Sequence, residues 1–401
     1  MRVTAFIGAG AIIDIGGPTT HDITNKVRSV QQDIFDTSAK CMVPRPFIEE
    51  VAQHLSSFWG IEPNFEDIFH ALEMLDSCRV GWDIKAAKEF RPALSGFVDS
   101  IDDRFFDQMA LMIAKNDLIK TVAEQIDSYD AAFNPNVTHS WYADFWRQAT
   151  NKLPWDIATI NYDTCIDKSL HGYTSYEDGF EYIEAGLHKF CPNKVCNSDK
   201  TKIIHLHGCI YYGYPPPYPD PNRFIFEYQH EDLFKFSSYL EARKSWFHRS
   251  RALSQAGEQT TVGPIVTGLR KTDKLLPYPY NAYNTCFTNS IMGNNRLLIV
   301  GYSFGDLHFN NWFERIVNIH GDNRKIVIIY LDNPKYLYSD IGDKMCRFLL
   351  TVFKKKRVSE FIPFGSDNPV VSGNGCVRLY LRGFNDAVKN HGSEIIDFLG
   401  N

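Results

Sequence analysis

The chain has 401 residues, of which 44% are hydrophobic and 22% charged, a composition typical of a globular protein. Its formal net charge of -6 gives no long-range attraction for phosphate backbones, which argues against nucleic acid as the main ligand. No apolar stretch reaches the ~18 to 20 residues that a membrane-spanning helix needs, which argues against a transmembrane protein.

Nine cysteines are scattered along the chain without regular pairing. The sequence passes from Met1 and Arg2 directly into an apolar strand pattern and lacks the segments of a signal peptide. We therefore expect reduced thiols and a cytoplasmic protein. A structural zinc site is not predicted, because His188, Cys191 and Cys196 form one loose group without a second pair of ligands.

The first apolar run, residues 3–7, predicts a strand that ends in a glycine corner. The small residues that follow it are Gly8, Ala9, Gly10 and Ala11 and, at a second bend, Pro18 and Thr19. Glycines allow a tight turn and let backbone N–H groups approach a pyrophosphate, although a turn without a ligand is the alternative for this group alone. A hydride-transferring dehydrogenase is not predicted, because Ile13 stands where the dinucleotide fingerprint has its third glycine. Thr20 or Asp22 is expected to cap the next helix.

Residues 44–150 interrupt the strand pattern with a mostly helical segment. Asn64 is expected to cap a helix in this segment, and a second amphipathic stretch covers about residues 105–126. The apolar face of the first helix contains Phe65, Ile68, Phe69, Leu72 and Leu75. We predict a helical insertion packed beside the sheet, either as part of the core or as a lid or oligomer interface.

The second apolar run, residues 157–160, is followed by Asn161, Tyr162 and Asp163. A neutral amide at the carboxyl end of a strand is suited to bind ribose hydroxyls or hold a water molecule without adding charge, which makes Asn161 a candidate site residue. Asp163 is a candidate cofactor contact or, alternatively, the cap of the helix that follows.

The third run, residues 203–206, is followed by His207 and Gly208. In strand geometry the side chains of His205 and His207 would point the same way. We assign a catalytic role to His207, because Gly208 follows it and three comparable strand-end motifs accompany it, and a structural role to His205.

The fourth run, residues 297–300, leads into a second glycine-rich turn that begins at Gly301. Ser303 is a candidate contact for ribose or phosphate, and Asp306 is expected to cap the following helix. A fifth run, residues 326–331, predicts a structural strand.

Apolar runs without strict alternation are typical of strands buried on both faces, and helical segments lie between them. The sequence therefore predicts an α/β fold, with a Rossmann-like parallel sheet, covering helices and the large helical insertion. In such sheets the ligand crevice lies beyond the carboxyl ends of the strands, where all four motifs would meet.

Taken in this order, the motifs from residue 3 to about residue 332 resemble the sirtuin superfamily and, more closely, the bacterial sirtuin-like NAD hydrolases of antiphage defence. The resemblance implies that NAD is bound as the substrate, without a metal, and is cleaved to nicotinamide and ADP-ribose, with Asn161 and His207 in the catalytic positions. The implied NAD-binding residues are Gly8, Ala9, Gly10, Ala11, Pro18, Thr19, Asp163, Gly208, Gly301 and Ser303.

Two features depart from this family. Ile12 stands where the family often has serine or threonine, which removes one side-chain contact but leaves the backbone turn. The four-cysteine zinc module of protein-deacylating sirtuins is missing. Its absence argues against an acyl-lysine peptide as the substrate. An NAD-dependent deacylase or ADP-ribosyltransferase and a non-catalytic nucleotide sensor stay open as alternatives.

We expect His207 to have an ordinary pKa of ~6.5 and to act as a general base.

The domain prediction places the catalytic domain at residues 1–335 and a small C-terminal extension, which packs on it or on a partner, at residues 336–401. By resemblance to two-component defence systems, we expect a homo-oligomer that assembles with a hexameric HerA-type ATPase. A short Argonaute is the alternative partner, and neither a membrane nor direct nucleic-acid binding is expected.

Overall fold

The computed structural model describes residues 1–36, 39–79, 96–97, 100–184, 186–214, 232–244, 263–268, 271–331, 344–356 and 369–401. The strands are β1 Val3–Ile7, β2 Gln32–Asp36, β3 Cys41–Arg45, β4 Trp155–Thr159, β5 Tyr176–Glu177, β6 Phe180–Glu184, β7 Leu187–Phe190, β8 Thr201–His205, β9 Tyr212–Gly213, β10 Phe234–Phe236, β11 Arg296–Val300, β12 Lys325–Ile329, β13 Val370–Val371 and β14 Val377–Tyr380. The α-helices are α1 Thr20–Arg28, α2 Phe47–Trp59, α3 Phe65–Arg79, α4 Gln108–Ala132, α5 Ser140–Lys152, α6 Cys165–Leu170, α7 Pro192–Cys196, α8 Tyr239–Lys244, α9 Tyr280–Gly293, α10 Leu307–His320, α11 Lys344–Phe353 and α12 Gly383–Gly400.

The central sheet has eight strands among the described residues, in the order β13-β14-β12-β11-β1-β4-β8-β5. The five strands predicted from apolar runs lie side by side in it, and each pairs in parallel with its neighbours. Strand β13 is antiparallel to β14 at one edge. The predicted α/β, Rossmann-like fold is confirmed.

Both faces of this sheet are buried, which explains why its strands read as continuous apolar runs. In β1, Ala5 and Ile7 belong to one hydrophobic cluster and Phe6 to another, because alternate side chains of a strand point to opposite faces. The first cluster includes helices α1 to α6 and α12, and the second includes α9, α10 and α11.

The helical insertion lies between β1 and β4 and packs in the first cluster. Its helix α3 begins where the sequence predicts, because the Asn64 side chain accepts hydrogen bonds from the backbone N–H groups of Glu66 (2.8 Å) and Asp67 (3.2 Å). The hairpin β2–β3, which ends at Arg45, precedes the helices and was not predicted. The helix α5, which falls within the predicted insertion, covers the central sheet itself.

Residues 369–401, which the sequence assigns to a C-terminal extension, contribute two strands and a helix to the main body. Strand β14 pairs in parallel with β12, and α12 contacts α5 and β12. These residues therefore extend the central sheet. None of the described helices combines the length and the apolar character that crossing a membrane requires.

Candidate active site

A cleft of about 1180 Å³ opens at the carboxyl ends of β1, β4, β8 and β11. It is walled by residues that follow these strands, by the first turns of α1, α3 and α10, and by part of α4. Eight of the predicted site residues line it, namely Ala9, Gly10, Pro18, Thr19, Asn161, His207, Gly301 and Ser303. Their assignment to NAD binding or catalysis stays a prediction.

The floor of the cleft is a contact between two backbone turns. The backbone nitrogen of Gly10 donates to the carbonyl oxygen of Gly301 at 2.8 Å. Gly301 has a positive φ of 59°, and a Cβ added there would lie 2.1 Å from the nitrogen of Ala11. Neither turn has room for a side chain at this point, so the glycines are required by close backbone approach even before a ligand is considered.

Four of the predicted site residues do not line the cleft but support it. Gly8 and the buried Ala11 lie in the first turn, behind its lining residues. Gly208 bends the chain away from the cleft with a positive φ of 92°, and an added Cβ would lie 2.0 Å from the carbonyl oxygen of Pro264. Asp163 lies behind the lining residue Tyr129.

The Asp163 carboxylate is fully engaged by protein groups. It accepts a hydrogen bond from the Tyr129 hydroxyl at 2.7 Å and one from the backbone N–H of Cys165 at 2.9 Å. Burial raises the pKa of this carboxyl group. The N-cap of helix α6 is Thr164, so Asp163 is not the predicted cap. Its contacts instead hold the turn after β4 in place and orient Tyr129.

Thr19 both lines the cleft and caps helix α1. Its hydroxyl donates to the Asp22 carboxylate at 2.6 Å and accepts the backbone N–H of Asp22 at 3.1 Å, which forms a reciprocal capping box. The predicted cap, Thr20 or Asp22, is therefore corrected, since Thr20 is the first helical residue and Asp22 completes the box.

The Asn161 side chain is fixed at the edge of the cleft. Its Nδ2 donates to the carbonyl oxygen of Gly8 at 3.2 Å, and its backbone N–H donates to the Thr159 hydroxyl at 3.0 Å. This orientation leaves Oδ1 to accept a hydrogen bond, since no donor among the described residues reaches it. Asn161 thus links the glycine corner after β1 to the turn after β4.

The two histidines near the end of β8 lie in different environments. The His205 Nε2 is 2.9 Å from the Asp167 carboxylate, in a buried ion-pair network, which is consistent with a structural residue. His207 lies in the cleft beside the rings of His308 and Phe309. Strand alternation does not extend to His207, because β8 ends at His205.

The His207 imidazole is buried, at 2% exposure, and its Nε2 has no hydrogen-bond partner among the described residues. Burial, together with the nearby positive charge of Lys271, lowers the pKa of His207 to about 3. The expected ordinary pKa is therefore wrong for this structure, and the ring is neutral at cellular pH. A neutral ring with a free nitrogen is suited to accept a hydrogen bond from a ligand.

A partly buried ion-pair cluster of Glu66, Lys271 and Asp306 lines the same cleft and was not identified from the sequence. The Lys271 ammonium lies 2.8 Å from a Glu66 oxygen and 2.9 Å from an Asp306 oxygen. Asp306 occupies the predicted N-cap position of α10, but its carboxylate makes no capping hydrogen bond and pairs with Lys271 instead. Burial alone would raise the pKa of Asp306, but the Lys271 ammonium, which donates a hydrogen bond to it, lowers this pKa below its usual value.

The structure also groups potential metal ligands. The Asp130, Asp163 and Cys165 side chains offer atoms within 4.8 Å of one another. One Asp130 oxygen is, however, only 2.6 Å from the Lys168 ammonium, and burial raises the pKa of the Cys165 thiol well above its ordinary value. These groups therefore satisfy one another, and the arrangement does not favour a metal ion.

Comparison with known families identifies part of this region. A family model described as a SIR2-like domain matches residues 156–349, a segment that contains Asn161, His207, Lys271 and Asp306. No curated protein matches the chain. The match supports a sirtuin-like family and, since SIR2-like domains use NAD as a substrate, an NAD-dependent activity.

Proposed function

We propose that this protein is an NAD hydrolase that breaks the nicotinamide–ribose bond and releases nicotinamide and ADP-ribose. One observation carries the proposal, namely that Asn161 and His207 line the same cleft as the glycine corner after β1. The cleft, at about 1180 Å³, is larger than most small-molecule sites, which suits a dinucleotide.

The chemistry makes modest demands on acid–base groups. The pyridinium ring of NAD leaves as neutral nicotinamide, so the leaving group needs no proton. The site must instead stabilise a cationic ribose and present water to it. In the proposed mechanism Oδ1 of Asn161 accepts a hydrogen bond from a ribose hydroxyl or from the water, which fixes its position.

The low pKa of His207 fits this sequence of events. A water molecule that has added to a cationic ribose is itself a strong acid, so a weak base removes its proton. His207 accepts a hydrogen bond from the water or a ribose hydroxyl before the reaction and takes the proton only as the new C–O bond forms. It therefore differs from a general base that is poised near neutral pH.

The biological role and the partners are proposals that rest on the sequence resemblance. Depletion of NAD would stop an infected cell, which is the role of the antiphage enzymes that the motifs resemble. We propose a cytoplasmic homo-oligomer controlled by a hexameric HerA-type ATPase, with a short Argonaute as the alternative partner.

Incubation of the purified chain with NAD, with and without such an ATPase, tests the activity. Mass spectrometry should detect nicotinamide and ADP-ribose in equal amounts. Asn161→Ala and His207→Ala should each slow their release by about a hundredfold to ten-thousandfold. The matched control His171→Ala, which changes an exposed histidine outside the cleft, should not slow it.

Other outcomes identify the alternatives. An acetylated ADP-ribose formed from an acetyl-lysine peptide, or a modified protein, would indicate transfer instead of hydrolysis. Binding of NAD without cleavage would indicate a sensor. Full nicotinamide release by both cleft variants would contradict the assignment of Asn161 and His207.

A further inference from the structure

The ion-pair cluster of Glu66, Lys271 and Asp306 joins three separate parts of the fold. Glu66 belongs to the first turn of α3 in the helical insertion, Lys271 to a short turn after residue 270, and Asp306 to the start of α10. The Lys271 side chain is 10% exposed, that of Asp306 13%, and that of Glu66 26%. The cluster is thus largely shielded from water while it lines the cleft.

The charges of this cluster do not cancel. Burial raises the pKa of Glu66, while Lys271 opposes that shift. With both acids ionised, two carboxylates and one ammonium carry a single net negative charge. The nearby His207 is neutral because burial lowers its pKa, an effect that Lys271 strengthens and Asp306 opposes. Charges in a partly dehydrated cleft interact more strongly than they do in water. The carboxylates of Glu66 and Asp306 therefore favour a positive charge on a bound ligand where that charge lies nearer to them than to the Lys271 ammonium.

We infer that Glu66 and Asp306 stabilise the positive charge that develops on the ribose of the substrate, and that Lys271 is a positioning residue that holds the two carboxylates. The inference rests on the proposed function. As the C–N bond breaks, its electron pair leaves with nicotinamide, and the positive charge moves from the pyridinium ring to C1′ and the ring oxygen of ribose. Water then forms the new C–O bond and loses one proton.

Fixed charges are effective in this role because they need no rearrangement during the reaction. The lysine bridge prevents the two carboxylates from moving apart, and it offsets part of the cost of burying both. The helical insertion then completes the catalytic site, because it supplies Glu66.

A neighbouring ion pair serves as a control for a merely structural role of the cluster. Lys274 lies in the same turn as Lys271 and pairs with Glu73 of α3 at 2.8 Å. Glu66 and Glu73 are seven residues apart and so lie on the same face of the helix. The second bridge joins the same two elements, yet neither of its residues lines the cleft.

The test compares Glu66→Gln with Glu73→Gln in the full-length protein. Glu66→Gln should lower kcat for nicotinamide release by about tenfold to a hundredfold and leave KM for NAD nearly unchanged, because the lost charge acts mainly in the transition state. Glu73→Gln should lower the melting temperature and leave kcat unchanged. Equal losses of kcat in the two variants would overturn the inference.

Variants of Lys271 provide a second readout. Lys271→Arg should keep most of the activity, because it keeps the cation. Lys271→Met should raise the pKa values of Glu66 and Asp306, since it removes the positive charge that lowers them. The acid limb of the kcat profile should then move to higher pH, and an unchanged limb would count against the positioning role.

Binding of a ribose analogue separates failure of the inference from failure of the proposed function. The probes are a hydroxylated pyrrolidine that is protonated at neutral pH and its neutral carbocyclic counterpart, compared by calorimetry. Wild type should prefer the cation, and Glu66→Gln should lose that preference. Wild type that releases no nicotinamide would refute the proposed function only, whereas the absence of a cation preference would refute the inference.

Discussion

Replacing His207 with glutamine should remove about 2 kcal/mol from the loss of folding free energy between pH 8 and pH 5. In the folded protein, burial and the nearby Lys271 ammonium lower the pKa of His207 to about 3. In the unfolded chain the imidazole lies in water, and its pKa returns to ~6.5. Between these two values the unfolded chain binds a proton that the folded chain does not, so acid favours unfolding.

The magnitude follows from the two pKa values of His207. At pH 8 the His207 imidazole is neutral in both the folded and the unfolded chain. Its full contribution to the free energy of unfolding is then present. As the pH falls below ~6.5, the free energy of unfolding decreases, and the decrease continues until the folded-state pKa of about 3 is reached. At pH 5 the loss is about 2 kcal/mol, from a difference of ~1.5 pH units and ~1.4 kcal/mol for each.

Urea titration followed by tryptophan fluorescence, at pH 8 and pH 5, measures this effect. Wild type should lose about 2 kcal/mol more free energy of unfolding than His207→Gln when the pH is lowered. Equal losses in the two proteins would refute the buried, neutral imidazole on which its proposed role depends.

Three further substitutions test contacts in the cleft and beside it. Gly301→Ala should abolish NAD binding and lower the melting temperature, because the added Cβ would lie 2.1 Å from the Ala11 nitrogen; thermal shift with and without NAD measures both. Lys274→Met should reduce the free energy of unfolding in urea by about 3 to 5 kcal/mol, since it removes the ammonium paired with the buried Glu73. Thr19→Ala should cost about 1 kcal/mol in the same assay, because α1 loses its N-cap.

Each of these predictions has a clear contrary result. The control Gly373→Ala adds a Cβ that meets no atom within 4 Å and should change neither NAD binding nor the melting temperature. A normal thermal shift with NAD in Gly301→Ala would contradict the tight backbone contact. Wild-type stability of Lys274→Met or Thr19→Ala would show that the ion pair or the cap contributes nothing measurable.

The position of the cleft can be predicted from the sequence because each buried parallel strand leaves a local signature. A short apolar run followed at once by glycine or a polar residue marks the carboxyl end of a strand, and such ends meet at one edge of the sheet. Asn161 and His207 both follow runs of this kind. The two apolar runs before these residues are therefore sufficient to predict that both lie in the cleft.

The charged wall of the cleft has no such local signature. Glu66 lies on a helix of the insertion, and Lys271 lies in a stretch without helical or strand periodicity. The pattern around Asp306 fits a helix cap, which explains the residue without any partner. The low pKa of His207 was also missed, because it depends on burial and on Lys271, and neither is visible in the sequence near residue 207.

The strands β13 and β14, at one edge of the central sheet, were not predicted for a related reason. Strand β14 has four residues, and β13 has two. The two residues of β13 are too few to be distinguished from a loop, and Arg378 interrupts the apolar run of β14. They belong to the sheet because β12 offers a hydrogen-bonding edge to β14, and β14 offers one to β13, which is a tertiary effect.

The place of β1 in the sheet has a consequence for synthesis of the protein. The first strand made is flanked by β4 and β11, which come roughly 150 and 290 residues later. A chain still attached to the ribosome has no complete cleft until the residues after 300 have emerged. Under the proposed function, the protein therefore cannot consume NAD during the greater part of its own synthesis.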